Sequence, residues 1–332
     1  MRISMVKPIP LLIFSFFVTH ICGQRVYEHY DQLTDSLRIG NNKTDIIPYS
    51  EKGFTLIMPD KSEPLQGILI SLEDGKYTLK DKTEKQLIHP AANQKGFAVL
   101  YVSTGVPLDL YFNNASLLQV DYLLKKVFAD YALPNKNIFF FGSMVSGHRV
   151  LKYIEYCKKG NSLFNPDIKG VVVSESAIDW VRMWYEAQKQ VRDHISEVQL
   201  FEGNLITYLF QANFHQTPET AIEKYLEFSA YSYFDTKMRN IKYFKDLAVR
   251  AYTFAPINYW FSASGKGVND SNYPDMSGFI NELKIAGDKK AELVVFTNET
   301  RAKADKMETQ SNTWNLIDKK ELMDWIASQT GK

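Results

Sequence analysis

The stretch that decides the fold runs from Asn137 to Tyr153 and reads NIFFFGSMVSGHRVLKY. An apolar run, Ile138 to Phe141, reaches Gly142, and a helix-like segment that contains a further glycine follows it. Glycine at the junction permits a sharp change of chain direction. The stretch therefore predicts a buried strand, a tight turn and a helix.

Other apolar runs continue this alternation along the chain. Predicted strands are GFTLIMP (53–59), LQGILISLEDG (65–75), FAVLYVSTG (97–105), IKGVVVSES (168–176), LAVRAYTF (247–254) and AELVVFT (291–297). Predicted helices are QLIHPAANQKG (86–96), NNASLLQVDYLLKKVFADYAL (113–133), SGHRVLKYIEYCKKG (146–160), SGFINELKIAG (277–287) and DKKELMDWIAS (318–328). Apolar strands separated by helices are typical of an α/β fold with a parallel sheet, which binds ligands at the carboxyl ends of its strands. A polar lead-in from about Arg25 to Lys52 precedes the first predicted strand.

The alternation stops between about residues 180 and 246, where helix-like segments follow one another. They read DWVRMWYEAQKQV, EGNLITYLFQANF and TPETAIEKYLEFSAYSYF. A helical stretch of this length between two strands predicts a cap inserted over the strand ends, and simple structural packing is the alternative. Aromatic residues make up 14% of the chain, which suits a well-filled core, with an aromatic-lined groove as the alternative.

The order of these elements resembles that of the α/β-hydrolase family from about Gly53 to the C-terminus. A turn follows NIFFFG, a helical insertion follows KGVVVSES, and two further strands precede loops for an acid and a histidine. SAIDWVRMW (176–184) and WNLIDKKELMDWI (314–326) are similar to segments of exported, esterase-like members from Bacteroidota-type bacteria. The resemblance implies an α/β-hydrolase-like, mostly parallel sheet flanked by helices, with a helical cap insertion. It also implies a nucleophile, an acid and a histidine in that order.

The turn after the strand is where this family carries its nucleophile. A strained apex residue with positive φ needs small residues two places before and two places after it. Placing Ser143 or Ser146 at the apex puts bulky side chains at these positions, whereas Met144 has Gly142 and Ser146 there. Met144 is therefore predicted at the nucleophile position. A thioether has no proton to lose and forms no acyl-enzyme.

The histidine position is substituted as well. The family order places it in the loop after the last strand, which reads NETRAKADKMETQSNTWNLID and contains no histidine. The last of the six histidines is His215. The family's His-x-Trp spacing places Asn312 at this position, two residues before Trp314. An asparagine does not act as a general base near neutral pH, so the resemblance implies a degenerate Ser-His pair.

The remaining family positions depend on loops at the strand ends. Asp270 or Asp275 occupies the acid position, and Asp179, after the strand that ends in VVVSES, is another candidate. Asp275 is also expected to cap the helix that follows. Oxyanion-like backbone amides are expected at Val145 and at Leu72 or Glu73, where the Glu73 carboxylate disfavours an anion.

Glu73, Glu175 and the histidines are candidates for other chemistry. Glu175, at the end of the next strand, is a candidate partner of Glu73 in a carboxylate pair, and solvated or capping glutamates are the alternative. The histidines are isolated and no H-x-x-x-H spacing occurs, so the sequence predicts neither a metal site nor a cofactor.

The N-terminus and the charge indicate where the protein works. Arg2, Lys7 and the apolar run IPLLIFSFFVTHIC predict a signal peptide over residues 1–23, and a mature domain over residues 24–332 that is periplasmic or secreted. An uncleaved anchor is the alternative, and no later run predicts a transmembrane helix. Cys157 would then be the one cysteine of the mature chain. With 39 Lys+Arg against 38 Asp+Glu and no basic block, a nucleic-acid partner is not expected.

Three hypotheses for the function follow. The first is a non-catalytic hydrolase-like protein that binds a small-molecule ligand or a protein partner. The second is an active serine hydrolase of esters or peptides with a displaced nucleophile, Ser146 or Ser143, paired with His148. The third is an interaction protein that acts through its helical cap. A fold alone does not separate them.

Overall fold

The structure is a computed structural model that describes residues 18–21, 24–38, 46–60, 64–255, 257–297 and 313–330. The strands are β1 (Val18–Ile21), β2 (Gln24–Gln32), β3 (Ser36–Arg38), β4 (Ile46–Pro48), β5 (Glu51–Pro59), β6 (Gly67–Glu73), β7 (Phe97–Ser103), β8 (Ile138–Ser143), β9 (Ile168–Ser174), β10 (Ala248–Phe254) and β11 (Glu292–Phe296). The helices are α1 (His89–Gln94), α2 (Asn114–Asp130), α3 (Val145–Lys158), α4 (Trp180–Asp193), α5 (Glu197–Phe214), α6 (Pro218–Phe228), α7 (Ile257–Ser264), α8 (Tyr273–Ile285) and α9 (Lys319–Ser328).

A nine-stranded sheet forms the centre of the fold, in the order β1-β2-β5-β7-β6-β8-β9-β10-β11. All pairs from β7 to β11 in this order are parallel, whereas β1, β2 and β5 are antiparallel to their neighbours. Every residue of β7 and β10 is buried. Their continuous apolar sequence follows from this burial on both faces. The predicted α/β class with a mostly parallel sheet is confirmed.

Helices cover both faces of the sheet, and the phenylalanines of β8 show how the two cores are divided. Phe140 belongs to the core that contains residues of α2, α3 and α8. Phe139 and Phe141 belong to the opposite core, which contains residues of α1 and α9. This alternation is the period of two that a strand imposes on its side chains. The strand that leads to the turn is thus held from both sides.

The polar lead-in contains a strand that its sequence does not signal. β2 pairs with β5 over nine residues from Gln24 to Gln32, yet Val26 is its one buried residue. Residues 18–21 of the predicted signal peptide form β1 beside it, while residues 1–17, 22 and 23 lie outside the described residues. The signal peptide therefore stays a prediction.

Three helices, α4 to α6, lie between β9 and β10, where the helical cap was predicted. Their shared core is aromatic and includes Trp180, Phe210 and Phe228. Val145, the first residue of α3, packs against this core, and so does Phe112 from the loop after β7. The cap therefore adjoins the turn between β8 and α3. No helix in the described part of the chain is long and apolar enough to cross a membrane.

Candidate functional site

Met144 forms the apex of the turn between β8 and α3. Its backbone has φ 53° and ψ −120°, a conformation that L-residues rarely adopt. A non-glycine residue in such a region costs about 1–3 kcal/mol. The Met144 amide donates to the Ser174 carbonyl at 2.9 Å, and the Met144 carbonyl accepts from the His148 amide at 3.3 Å. The side chain is 59% exposed, so the turn presents a thioether to solvent.

The packing around the apex leaves no room for larger neighbours. A Cβ atom added to Gly142 would lie 2.5 Å from the Ser146 carbonyl carbon and 2.6 Å from the Gly147 nitrogen. A Cβ atom added to Gly147 would lie 1.8 Å from Ser176 Oγ. Atoms this close overlap, so the turn requires the small residues that its sequence supplies.

The two serines beside the apex point into different surroundings. Ser146 Oγ donates to the Leu72 carbonyl at 2.6 Å, and lies 3.2 Å from Ser71 Oγ and 3.5 Å from Glu73 Oε1. Ser143 Oγ is buried and has no hydrogen-bond partner among the described residues. The structure thus places neither serine at the apex.

A carboxylate occupies the expected oxyanion side of the turn. Glu73 ends β6, and its Oε1 accepts a hydrogen bond of 2.5 Å from Ser71 Oγ. Burial raises the pKa of Glu73, while the Ser71 hydrogen bond and the positive charge of Arg149 oppose this rise. When ionised, this carboxylate repels an anion beside the Leu72 and Glu73 amides.

A cavity of about 190 Å³ opens at the apex. Its wall includes Met144, Glu73 and Trp314, and Trp314 stacks on Phe141 with ring centroids 5.5 Å apart. Ligand pockets for drug-sized molecules span roughly 300–1,000 Å³. The cavity at Met144 therefore fits a smaller group.

His148 is directed away from both serines. Its Nε2 lies 3.0 Å from the Leu110 carbonyl, and its Nδ1 accepts from Trp180 Nε1 at 3.0 Å. Nε2 therefore carries the proton, and both ring nitrogens are engaged. Burial lowers the pKa of His148 well below its ordinary value, and the charge of Lys152 acts in the same direction. The structure does not assemble the alternative pair of Ser143 or Ser146 with His148, because α3 directs this ring under the cap.

The two predicted acids lie at a second cavity. Asp275 accepts from the Ile178 and Asp179 amides at 2.9 and 3.0 Å and pairs with Arg182. It does not cap α8, whose N-cap residue is Asn272.

Asp270 makes equally local contacts. It forms an ion pair with Lys189 and accepts from the Gly267 amide at 2.8 Å. The structure does not bring either predicted acid to the cavity at Met144, because cationic side chains of the cap hold both.

Glu175 is the carboxylate that the strand ends bring next to the C-terminal segment. Its Oε1 accepts from Thr253 Oγ1 at 2.8 Å, from the Phe254 amide and from Thr313 Oγ1 at 3.2 Å. Burial raises the pKa of Glu175, and these hydrogen bonds oppose the rise. Asn312 immediately precedes Thr313 but lies outside the described residues.

The sequence makes Glu175 a candidate partner of Glu73, but Glu73 accepts a hydrogen bond from Ser71 instead. The position of Glu175 at the end of β9 could be predicted, because the carboxyl ends of parallel strands meet at one edge of a sheet. Among the described residues, no group of three or more His, Cys, Asp or Glu side chains is arranged to hold a metal ion.

Similarity to known proteins is found at the level of structure. No protein-family profile matches the chain, and no curated protein matches it. An S-formylglutathione hydrolase from Agrobacterium tumefaciens is similar in structure over 96% of this chain and 100% of its own, with a TM-score of 0.50 and 12% identity. Esterase B from Lactobacillus rhamnosis is similar over 92% of this chain and 87% of its own, with a TM-score of 0.50 and 9% identity.

The chain has the α/β-hydrolase fold. At these identities the likeness shows the fold alone. In an α/β-hydrolase fold the strained turn from strand to helix is the nucleophile elbow, with a serine at its apex in the G-x-S-x-G motif. Met144 stands at that apex here.

Proposed function

We propose that this is an exported α/β-hydrolase-fold protein that lacks the Ser-His pair and uses the cavity at Met144 to bind a ligand or partner. The observation that carries the proposal is the strained backbone of Met144, with its side chain 59% exposed at the cavity. A thioether has no acidic proton to give to a base and cannot carry an acyl group through catalysis.

The neighbouring groups support binding without covalent chemistry. The Ser146 hydroxyl donates to a backbone carbonyl, Leu72 O, at 2.6 Å, while the Glu73 carboxylate oxygen Oε1 lies farther away, at 3.5 Å. His148, which follows in α3, has both nitrogens engaged by Leu110 and Trp180. The sequence carries no histidine after His215. A serine without a positioned base is a weak nucleophile.

Export is supported by the N-terminal sequence, with Arg2 and Lys7 before an apolar run. Cleavage after Gly23 would remove β1 and leave β2 paired with β5. N-terminal sequencing of protein recovered from the periplasm or the medium should begin at Gln24. An N-terminus at Met1 in protein recovered from the membrane would instead support an uncleaved anchor.

A fluorophosphonate probe tests the loss of the nucleophile, because it forms a covalent bond with activated serines. The mature protein should remain unlabelled by mass spectrometry and should not hydrolyse p-nitrophenyl acetate above the rate of a Ser146→Ala variant. Probe attached to Ser143 or Ser146, with hydrolysis that Ser146→Ala or Ser143→Ala abolishes, would establish the displaced-nucleophile hydrolase instead.

A further inference from the structure

A second cavity, of about 1020 Å³, lies between α4 and α8. We call it the α4–α8 groove. Its walls are residues of α4, of the segment 231–234 and of α8, together with Asp179, Asn269 and Asp270. No described residue lines both this groove and the cavity at Met144. The groove is therefore a separate feature of the cap side of the molecule.

Three aromatic rings of the groove are exposed to solvent. Tyr233 is 79% exposed, and Phe234 and Tyr185 are each 44% exposed. The ring centroids of Tyr185 and Phe234 lie 6.2 Å apart, and those of Tyr233 and Phe234 lie 5.9 Å apart. Trp180 and Phe210, by contrast, are buried in the cap core. These three rings thus offer their faces to a ligand.

The charge of the groove is negative. Its lining contains five acidic side chains and two basic ones, Arg182 and Lys189. The acidic residues are Asp179, Glu186, Asp270, Asp275 and Glu282. The acids outnumber the bases even when Lys266, which pairs with Glu186, is counted.

Two of these carboxylates have no cationic partner in contact within the described part of the chain. Asp179 accepts only from neutral donors: the Val181, Arg182 and Tyr233 amides and Ser232 Oγ. Glu282 forms neither an ion pair nor a hydrogen bond through its carboxylate with any described residue. The Glu282 charge is therefore available to a ligand, whereas Asp179 is 1% exposed and these four donors already occupy its oxygens.

An unused polar group lies at the same place. Tyr231 is 7% exposed, and it lines the groove. Its hydroxyl has no hydrogen-bond partner among the described residues. The hydroxyl is open to the groove, so a ligand there can form a hydrogen bond with it.

We infer that the α4–α8 groove binds a ligand through an organic ammonium group, which Tyr185, Tyr233 and Phe234 contact and the Glu282 carboxylate attracts. A cation within about 6 Å of an aromatic ring is attracted by the ring's quadrupole. The excess of carboxylates would repel an anion. A neutral ligand would contact the rings without gaining attraction from the negative charge. The inference goes beyond the proposed function, since it holds whether or not the cavity at Met144 is catalytic.

Titration of the mature protein, followed by calorimetry and by tyrosine NMR signals, tests this inference. Choline supplies a quaternary ammonium, and Nα-acetyl-lysine amide supplies the primary ammonium of a peptide side chain. The neutral isostere 3,3-dimethylbutan-1-ol has the shape of choline without its charge. At least one of the two cations should bind in a saturable way, and the isostere should bind about tenfold more weakly than choline or not at all. Whichever cation binds identifies the source of the ammonium group.

Variants locate the binding. Tyr233→Ala and Glu282→Gln should each weaken the binding of the cation several-fold, roughly the range that a single cation–π contact provides. Tyr122→Ala removes a tyrosine that is 70% exposed on α2 and should change nothing. Three results would overturn the inference: no saturable binding of either cation, equal binding of choline and its isostere, or unchanged binding in Tyr233→Ala.

Discussion

The cavity at Met144 and the α4–α8 groove differ in backbone geometry and in side-chain chemistry. At Met144 the backbone is strained and tightly packed, and the exposed apex side chain has no ionisable group. In the groove the ion pair of Arg182 with Asp275 is buried, and the carboxylates include Asp179. The first region has a strained strand-to-helix turn with a thioether at its apex, and the second concentrates charge and aromatic surface. The difference teaches that backbone shape and side-chain chemistry are separable within one fold.

The largest effect is expected when a buried charge of the groove is removed. Arg182→Leu would leave the buried carboxylates of Asp275 and Glu186 without their guanidinium partner. Removing one partner of a buried pair costs about 3–5 kcal/mol. We expect a loss of that size in the free energy of unfolding, measured in urea.

A matched control lies on the same helix. Arg192 has a side chain that is 71% exposed and pairs with its neighbour Asp193. Because solvent screens an exposed ion pair and leaves it little effect on stability, Arg192→Leu should be nearly neutral. Equal effects of the two substitutions would contradict the buried network.

A second substitution tests how tightly the turn is packed. Gly142→Ala would bring a Cβ atom within 2.5 Å of the Ser146 backbone, so the turn must shift. We expect a destabilisation of about 1–3 kcal/mol in chemical denaturation, the usual cost of overpacking. Gly267→Ala is the control, because the nearest atom to its added Cβ would be 3.6 Å away. A neutral Gly142→Ala would mean that the turn is not close-packed.

A third substitution tests whether the backbone of Met144 is strained. Met144→Gly should stabilise the protein by about 1 kcal/mol, because glycine relieves the strain of positive φ but loses more chain entropy on folding. Met144→Ala keeps the strain and should give no such gain. If both variants lose stability equally in urea unfolding, Met144 is held by side-chain contacts rather than opposed by its backbone.

The smallest expected effect is the contribution of His148 to the pH dependence of stability. The pKa of His148 is far below its ordinary value because the ring is buried. The unfolded chain therefore takes up a proton near pH 6.5 that the folded chain does not, and stability falls as the pH drops below that value. Between about pH 7.5 and 5, the free energy of unfolding should decline less steeply for His148→Gln than for the parent. This range spans the ordinary histidine pKa of about 6.5. His215→Gln, at an exposed position, is the control, and a decline that His148→Gln leaves unchanged would contradict this assignment.

Much of the fold could be predicted from the sequence, because buried parallel strands are unbroken apolar runs such as β7 and β10. The strand β2 could not be predicted, since Val26 is its one buried residue and its neighbours are polar. The placement of Met144 followed from a local rule about small flanking residues, which the sequence displays directly.

The partners of the other site residues are distant in sequence, and local patterns do not reveal them. The sequence predicts that Asp275 is the N-cap residue of a helix. It instead pairs with Arg182, which lies 93 residues away on α4 of the helical insertion. His148 looked like a neighbour of the elbow serines, but its partners Leu110 and Trp180 come from other elements, 38 and 32 residues away. Such contacts depend on how the cap is seated on the sheet.

The central claim is that the elbow keeps its shape and lacks its reacting groups. Its most direct test is fluorophosphonate labelling of the double variant Met144→Ser with Asn312→His, with the parent and Met144→Ala as controls. The account predicts covalent labelling at position 144 in the folded double variant and no labelling of the parent or Met144→Ala. Labelling of the parent at a serine, or a folded double variant without label at position 144, would contradict it.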